Sequence, residues 1–344
     1  MGNNIFRPLT TYEERDAEWL IDGWIPKGCA GGFAADGGSG KTSLSCHILA
    51  GVSAGKPLFF ESPGVKREPM PVAFLAAEDS ITTKLKRKLR LYGANMDNVF
   101  TPDLMSDGGK LLQRLRYGSP EIALFVRTVK PAICIFDPLQ SFLPPELNMG
   151  SRNAMRNALA PLIALGEETG CVFLVVAHTN KRQRASGRDR IADSADFWDI
   201  SRFMLMAGID TETGLHYLSQ EKSNYGELQK TKLFSIDNDG IIHGEGETWK
   251  RDREFQADKE NAASPSTRDD CKQWILERLG QNGNRIPTAR LDQAAKDDGY
   301  SNATLRRAKD ALKADGEIRY TSTGNGKGKK EWYIERTIPS EPPF

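Results

Sequence analysis

The chain has 344 residues, with 47 Lys and Arg against 46 Asp and Glu and a formal net charge of +1. This balance excludes a uniformly basic nucleic-acid coat protein but leaves room for local basic patches. Hydrophobic residues make up 39% of the sequence, and the longest apolar run, CVFLVVA, is far shorter than the ~20 residues of a membrane span. The length leaves room for one large domain plus a small one, or for two medium domains, and we expect no membrane partner.

Five cysteines occur without a C-x-x-C pair, at Cys29, Cys46, Cys134, Cys171 and Cys271. An odd count without metal-type spacing is typical of reduced, buried thiols in a cytosolic protein. The stretch MGNNIFRPLT at the N-terminus lacks the apolar core of a signal peptide. The sequence thus predicts a cytoplasmic location.

The stretch GGFAADGGSGKTSLSCHILA, residues 31–50, follows the phosphate-binding pattern G-x-x-x-x-G-K-[ST], except that Ala35 stands in place of the first glycine. An alanine there is compatible with the pattern if it ends a strand, because only a left-handed conformation would cost about 1–2 kcal/mol. The predicted phosphate-binding residues are Ala35, Gly37, Gly38, Ser39, Gly40, Lys41, Thr42 and Ser43. Lys41 is also the predicted catalytic cation of the loop. The alternative is a glycine-rich turn that matches by chance.

Short apolar runs that alternate with helical patterns indicate an α/β fold with a mainly parallel sheet. The runs are GGFAA, VAFLAA, AICIF and VFLVVA, and polar residues follow the last three directly. Three later runs, FMLMAG, LHYLSQEK and KLFSID, have no long helix between them and predict an antiparallel extension of the sheet. Ligands of open α/β sheets bind at the carboxyl ends of the strands, so the site is expected there.

Three polar residues at strand ends are candidates for ATP chemistry. Asp137 follows AICIF, where an acidic residue can hold Mg²⁺ together with the hydroxyl of Thr42; the alternative is a strand-capping aspartate. Glu78 follows VAFLAA and is the predicted residue that orients the attacking water, while Asp79 is expected to cap the next helix. His178 follows VFLVVA and is predicted to sense the γ-phosphate; a structural histidine is its alternative.

Six motifs that occur in a fixed order resemble those of a known family. WIPKG, ADGGSGKTS, FLAAEDS, CIFDPLQSF, VVAHTNK and EKSNYG occur in that order between Trp24 and Ile242. Together they resemble the RecA/DnaB superfamily of motor ATPases and, within it, the RepA-type replicative helicases of plasmids and phages. The resemblance implies a RecA-like P-loop NTPase core, ATP and Mg²⁺ as cofactors, and a homo-oligomeric ring, usually a hexamer, that threads single-stranded DNA with 5′-to-3′ polarity.

The resemblance also implies that a basic residue from the neighbouring subunit completes each ATP site, a contribution worth about 10³–10⁵ in rate. Arg202 in DISRFML and Lys222 in EKSNYG match that position, and Arg202 is favoured because a guanidinium can contact two oxygens. Two loops, SFLPPELNMGSRN and KRQRASGRDR, are implied to face the centre of the ring. The residues of the second loop predicted to contact DNA are Lys181, Arg182, Arg184, Arg188 and Arg190. The alternative for this loop is a solvated segment.

The C-terminal part predicts a separate small domain. We expect a RecA-like core over 1–245, a linker over 246–268, a winged-helix domain over 269–336 and a tail over 337–344. Ser301 is the predicted N-cap of a helix whose basic residues face outward. The residues of this helix predicted to contact duplex DNA are Arg306, Arg307, Lys309 and Lys313. A protein-docking role for the small domain is the alternative.

The leading hypothesis is an ATP-dependent hexameric DNA helicase or translocase of a plasmid, phage or other mobile element. A second hypothesis, from another class, is an ATP-switched DNA-binding regulator or loader without unwinding activity. A small-molecule kinase is disfavoured, because the sequence suggests neither an acceptor site nor a lid. The basic run KLKRKLRLYG, residues 84–93, is read as an amphipathic surface helix whose charges are solvated.

Overall fold

The computed structural model describes residues 6–102, 110–147, 152–180, 187–191, 195–263, 268–323 and 331–337. By its internal contacts the chain divides into two compact units, Met1–Gln256 and Ala257–Phe344. No helix in the described ranges is both long and apolar enough to span a membrane. All five cysteines are free and buried.

The first unit contains eleven strands among its described residues. They are β1 Trp19–Ile21, β2 Ile25–Pro26, β3 Ala30–Ala35, β4 Val72–Ala76, β5 Val99–Phe100, β6 Ile133–Asp137, β7 Val172–His178, β8 Phe203–Ile209, β9 His216–Ser223, β10 Thr231–Ile236 and β11 Ile242–Thr248. Its helices are α1 Lys41–Ala54, α2 Lys86–Leu91, α3 Lys110–Arg114, α4 Pro120–Val129, α5 Arg152–Thr169 and α6 Ala195–Ile200, and α7 Asp252–Ala263 begins in this unit and continues past its end. A π-helical turn, Ile81–Leu85, leads into α2, and a 3-10 turn, Gly187–Arg190, precedes α6.

Nine of these strands form one sheet in the order β11-β10-β9-β8-β3-β7-β6-β4-β5. The pairs from β8 to β5 are parallel, and the pairs from β8 to β11 are antiparallel. The fold is therefore α/β with a large, mostly parallel sheet and an antiparallel extension. Its central strands are buried on both faces: Phe33 packs with the α1 side, and its neighbour Ala34 packs with the α4 and α5 side.

This arrangement positions the ends of the strands. Ala35 of β3 pairs with His178 of β7, and Ala76 of β4 pairs with Asp137 of β6. Because all four strands run the same way, their carboxyl ends share one edge of the sheet, which we call the carboxyl edge. The opposite edge of the same strands is the amino edge.

The second unit has its own small core. Its described elements are α8 Arg268–Gln281, β12 Arg285–Pro287, α9 Thr288–Asp297, α10 Asn302–Ala314, β13 Ile318–Thr323 and β14 Glu331–Arg336. The strands form an antiparallel sheet in the order β12-β14-β13. Leu305, Ala308 and Leu312 of α10 are buried in this core, and the Ser301 hydroxyl accepts a hydrogen bond from the Thr304 amide at 3.1 Å, as predicted for an N-cap.

The segment predicted as a linker, 246–268, is largely regular structure. Strand β11 continues to Thr248, and α7 begins at Asp252. This helix is fixed by burial: Phe255 stacks on Tyr217 with ring centroids 4.1 Å apart, and Asp252 accepts a hydrogen bond from the Tyr217 hydroxyl at 2.7 Å. The sequence does not predict α7, because one buried aromatic residue and one buried carboxylate give almost no helical periodicity in a polar segment. Most of the predicted tail, from residue 338 onward, lies outside the described residues.

Candidate nucleotide site

The loop between β3 and α1 forms an open cradle at the carboxyl edge. Ala35 is the last residue of β3 and is fully buried, so it has the strand conformation expected for an alanine at this position. Gly38 and Gly40 have φ values of 78° and 90°, which favour glycine, and α1 starts directly afterwards at Lys41. A Cβ atom added at Gly37 or Gly38 would meet nothing within 4 Å. Backbone amides at the start of a 14-residue helix, with free space beside them, suit an anionic ligand.

The two serines of the loop are held by other groups of the protein. Ser39 is buried, and its hydroxyl donates to the Asp36 carbonyl at 2.7 Å. The Ser43 hydroxyl accepts a hydrogen bond from Lys88 Nζ at 2.8 Å. Lys88 belongs to the basic run whose charges were expected to be solvated, so that expectation is wrong for this residue. Its position in α2 gave no signal for this contact, which depends on how α2 packs against α1.

Lys41 lies between the loop and the end of β7. Its ammonium group donates to the Ala35 carbonyl at 2.9 Å and is 3.2 Å from His178 Nδ1. Burial lowers the pKa of Lys41, and the nearby Asp137, Asp36 and Glu78 partly oppose that shift. The cation is thus placed at the loop with acidic groups around it.

Acidic side chains gather opposite the loop. Burial, together with Asp79 and Glu78, raises the pKa of the Asp137 carboxyl to about 6. The Thr42 hydroxyl donates to Asp79 Oδ2 at 3.2 Å. Asp79 was expected to cap the following helix, but Ser80 fills that role by accepting from the Thr83 amide. Asp79 therefore belongs to the site and was missed, because the sequence does not distinguish two adjacent acids at a strand end.

Glu78 and His178 complete this group. Glu78 Oε2 lies 3.9 Å from His178 Nε2, and the other ring nitrogen of His178 faces Lys41. The carboxyl edge therefore brings together five residues predicted to act on ATP: Lys41, Thr42, Glu78, Asp137 and His178. These residues follow four different strands, and the parallel register of the sheet brings the ends of those strands together.

Comparison with a family model agrees with this geometry. The family model described as AAA domain (AAA_25) matches residues 7–184, more than half of the chain. This chain belongs to the AAA domain family. A KaiC-like protein from the hyperthermophilic archaeon Pyrococcus horikoshii is similar in structure, with a TM-score of 0.46 and 14% identity over 66% of this chain and 99% of the other. No curated protein matches the sequence significantly.

The AAA domain implies nucleotide binding, typically with Mg²⁺, and the residues present fit both. The free space beside Gly37 and Gly38 admits phosphate oxygens, and Lys41 supplies the cation. The described part of the chain has no cluster of three or more His, Cys, Asp or Glu side chains that would hold a metal alone. Mg²⁺ would instead use the Thr42 hydroxyl and the Asp137 carboxylate together with phosphate oxygens and water, which is its usual choice at nucleotide sites.

Two predicted catalytic residues of the AAA domain protein lie away from this cradle. The Arg202 amide donates to the Ala30 carbonyl at the start of β3, and Lys222 pairs with Met204 near the start of β8. Five residues of strand at about 3.3 Å each place the Arg202 backbone roughly 17 Å from the loop. Both residues are therefore on the amino edge and do not join the loop of the same chain.

Arg202 and Lys222 differ in their surroundings. Lys222 Nζ donates to the carbonyls of Trp198 and Asp199 at 2.9 and 3.2 Å, so it holds the end of α6. Burial lowers the pKa of Lys222. Arg202 is exposed, and its guanidinium has no hydrogen-bond or ion-pair partner in the described ranges. Arg202 is thus the better placed of the two for a group outside the subunit.

The basic loop after β7 is only partly described. Lys181, Arg182 and Arg184 lie outside the described residues. Arg188 forms an ion pair with Asp199 at 2.6 Å. Arg190 is 2% exposed and pairs with Asp36 and Asp252, so the prediction that Arg190 contacts DNA is corrected here. Burial alone would lower the pKa of its guanidinium, but Asp252, Tyr217 and Asp36 raise the pKa above its ordinary value.

The predicted DNA-contacting residues of the second unit divide in the same way. Arg306, Arg307 and Lys313 of α10 are exposed. Lys309 is 7% exposed and forms an ion pair with Asp292, so the expectation that it faces outward is wrong. One turn of helix separates Lys309 from Leu305 and Leu312, which places it on the buried side of α10.

Proposed function

We propose that this AAA domain protein is a ring-forming ATPase, most simply a homohexamer, that moves on single-stranded DNA and separates strands during replication of a plasmid, phage or other mobile element. The observation that carries the proposal is the division of catalytic residues between two edges of one sheet. Lys41, Glu78 and Asp137 share the carboxyl edge, whereas the exposed Arg202 lies on the amino edge, roughly 17 Å away. A neighbour that presents its amino edge to the cradle would complete the site.

Within one cradle the residues have distinct tasks. With ATP bound, Lys41 and the loop amides would hold the phosphates, and Thr42 and Asp137 would hold Mg²⁺, which would supply positive charge for phosphoryl transfer. Glu78 orients the water that attacks the γ-phosphate. His178 contacts Lys41 and Glu78 at once, so it responds to a change at either. Arg202 of a neighbouring subunit stabilises the charge of the transition state.

ATP hydrolysis with and without single-stranded DNA tests the proposal. We expect the wild type to be stimulated by DNA, to form ring-sized particles with ATP and to unwind a forked duplex. Glu78→Gln should lose hydrolysis by about 10²-fold or more while still binding ATP. Glu68→Gln, a substitution at an exposed carboxylate away from the site, should behave as wild type. ATP turnover without any unwinding by assembled particles would contradict the motor.

The second unit supports another candidate, an ATP-switched regulator or loader. We propose that this unit is a winged helix, since its described elements run helix, strand, two helices and two strands, with Arg306 and Arg307 exposed on α10. Arg306→Gln/Arg307→Gln in the full chain should weaken duplex binding and make its salt dependence shallower by about one unit per lost phosphate contact. Lys296→Gln, on exposed α9 surface, serves as control. A sequence-specific duplex footprint with slow, DNA-indifferent turnover would favour the regulator. Unchanged duplex binding would indicate a protein partner.

A further inference from the structure

A buried ion cluster joins the phosphate loop to the start of α7. Arg190 Nη2 donates to Asp36 Oδ1 at 2.5 Å, and Arg190 Nη1 donates to Asp252. The Thr179 hydroxyl also donates to Asp36, and the Tyr217 hydroxyl donates to Asp252 at 2.7 Å. The side chains of Arg190 and Asp252 are 3% and 0% exposed. Three segments far apart in sequence are therefore tied by one guanidinium.

Asp36 is an unusual neighbour for a triphosphate. It stands between Ala35 and Gly37, so its carboxylate is part of the same short loop that is to hold several negative charges. Repulsion between a carboxylate and phosphate oxygens is strong where water is scarce. The Arg190 guanidinium offsets the charge of the Asp36 carboxylate, and the Thr179 hydroxyl donates a further hydrogen bond to it. The Asp36 carbonyl meanwhile accepts from Ser39, which keeps the loop backbone closed on itself.

Asp252 connects the ion cluster to α7. It begins α7, which continues past Gln256, the last residue of the first unit. Moving Arg190 away from Asp252 would leave a fully buried carboxylate without its partner cation, so Asp252 fixes the guanidinium that Asp36 also contacts. Movement of Asp36 is therefore resisted by Asp252, and the reverse also holds.

We propose that Arg190 is a positioning residue of the phosphate loop, which neutralises Asp36 for ATP binding and couples the loop to the start of α7 through Asp252. This rests on ATP being the ligand of the loop. The role predicts two separable effects: ATP affinity depends on the charge balance between Arg190 and Asp36, and ATP binding changes the stability of α7.

Affinity for Mg²⁺·ATP in the full-length protein tests the first effect. Arg190→Gln/Asp252→Asn removes both charges of the fully buried pair, and we expect it to weaken ATP binding by tenfold or more. Adding Asp36→Asn should restore the affinity to within about threefold of wild type, because the repulsive charge is gone. Arg127→Gln/Glu168→Gln, which removes an exposed ion pair between α4 and α5, should change the affinity less than twofold. Arg190→Lys keeps the positive charge but cannot contact both carboxylates in the same way, so its affinity for ATP should lie between those of the wild type and the Arg190→Gln/Asp252→Asn variant.

Each outcome of the titration decides a different point. If the wild type does not bind ATP, the proposed function fails and this inference falls with it. If the wild type binds and the Arg190→Gln/Asp252→Asn variant binds equally well, only the role of Arg190 is overturned. Loss of affinity that Asp36→Asn does not restore also overturns it. Should the paired variant unfold, Arg190→Lys compared with Arg190→Lys/Asp36→Asn makes the same test.

Hydrogen exchange at α7 tests the coupling independently of turnover. In the wild type, ATP should slow amide exchange in the first turns of α7, residues 252–256, by fivefold or more. That protection should vanish in both Arg190→Gln/Asp252→Asn and its Asp36→Asn derivative, although the derivative binds ATP again. Exchange in α7 that is indifferent to ATP in the wild type would overturn the coupling.

Discussion

Asp137 is an acidic residue of the candidate site with a raised pKa. Its carboxyl ends β6 with Asp79 and Glu78 nearby, and burial with these two acids raises its pKa to about 6. Between the ordinary pKa of 3.8 and a pKa of about 6, the folded protein holds a proton that the unfolded chain has released. This group therefore favours the folded state at low pH, and that contribution is lost as the pH rises through 6.

For the proposed function the direction is the opposite, because Mg²⁺ would bind the ionised form of the Asp137 carboxyl. We expect Mg²⁺-dependent ATP turnover to rise with pH through about 6, with Mg²⁺ shifting the midpoint downward as its concentration increases. Asp137→Asn should lose at least 10²-fold in turnover and show no such midpoint. A pH–rate profile at several Mg²⁺ concentrations makes the measurement. A midpoint that does not move with Mg²⁺ would assign the titration to another group.

Among the secondary-structure elements, α10 has the N-cap and the buried face that the sequence predicts. Ser301 caps the helix through the Thr304 amide, and Leu305, Ala308 and Leu312 face the core. Ser301→Ala should lower the free energy of unfolding of the second unit by about 1 kcal/mol, since one helix amide loses its acceptor. Ser322→Ala on exposed β13 is the matched control, and denaturant unfolding of the full chain compares them. Equal stability of the two variants would contradict the capping role.

Helix α7 shows where sequence reasoning ends. Strand runs and glycine positions report local conformation, so β3, β4, β6, β7 and the loop at Lys41 follow from the sequence alone. The local sequence around Arg190 and Asp252 gives no such information about their pairing. In the sequence, Arg190 is one cation among several in a polar loop, and its burial depends on two carboxylates that arrive from positions 36 and 252. The same applies to Asp79 and Lys88, whose roles arise only from packing around α1.

At the scale of the whole molecule, the position of Arg202 predicts that activity belongs to pairs of subunits. Lys41→Ala should lose ATP hydrolysis because its own cradle fails, and Arg202→Ala should lose it by about 10³-fold or more because its neighbour lacks the cation. Mixed together, the two inactive variants form some interfaces with an intact cradle from one subunit and an intact Arg202 from the other. Partial recovery of turnover on mixing is therefore expected.

Lys222 provides the comparison for that experiment. Its ammonium group holds two carbonyls at the end of α6, so Lys222→Ala should destabilise the subunit as well as slow turnover. Thermal unfolding distinguishes the two variants. Because Arg202 is exposed, Arg202→Ala should keep the melting temperature within about 1 °C of the wild type. Mixtures without any recovered turnover would exclude Arg202 as the residue supplied by the neighbour.

The strand at the free antiparallel border of the sheet adds a constraint on how subunits meet. β11 carries Glu245 between Gly244 and Gly246, followed by Glu247, and its register against β10 shifts at Leu233 and Phe234. Acidic, irregular border strands resist the addition of a further strand from another chain. The two-residue β5 at the other border offers almost no backbone to pair with. Growth of fibres by continuing the sheet from one chain to the next is thus disfavoured at both borders, so contacts between side-chain surfaces would have to hold the proposed ring together.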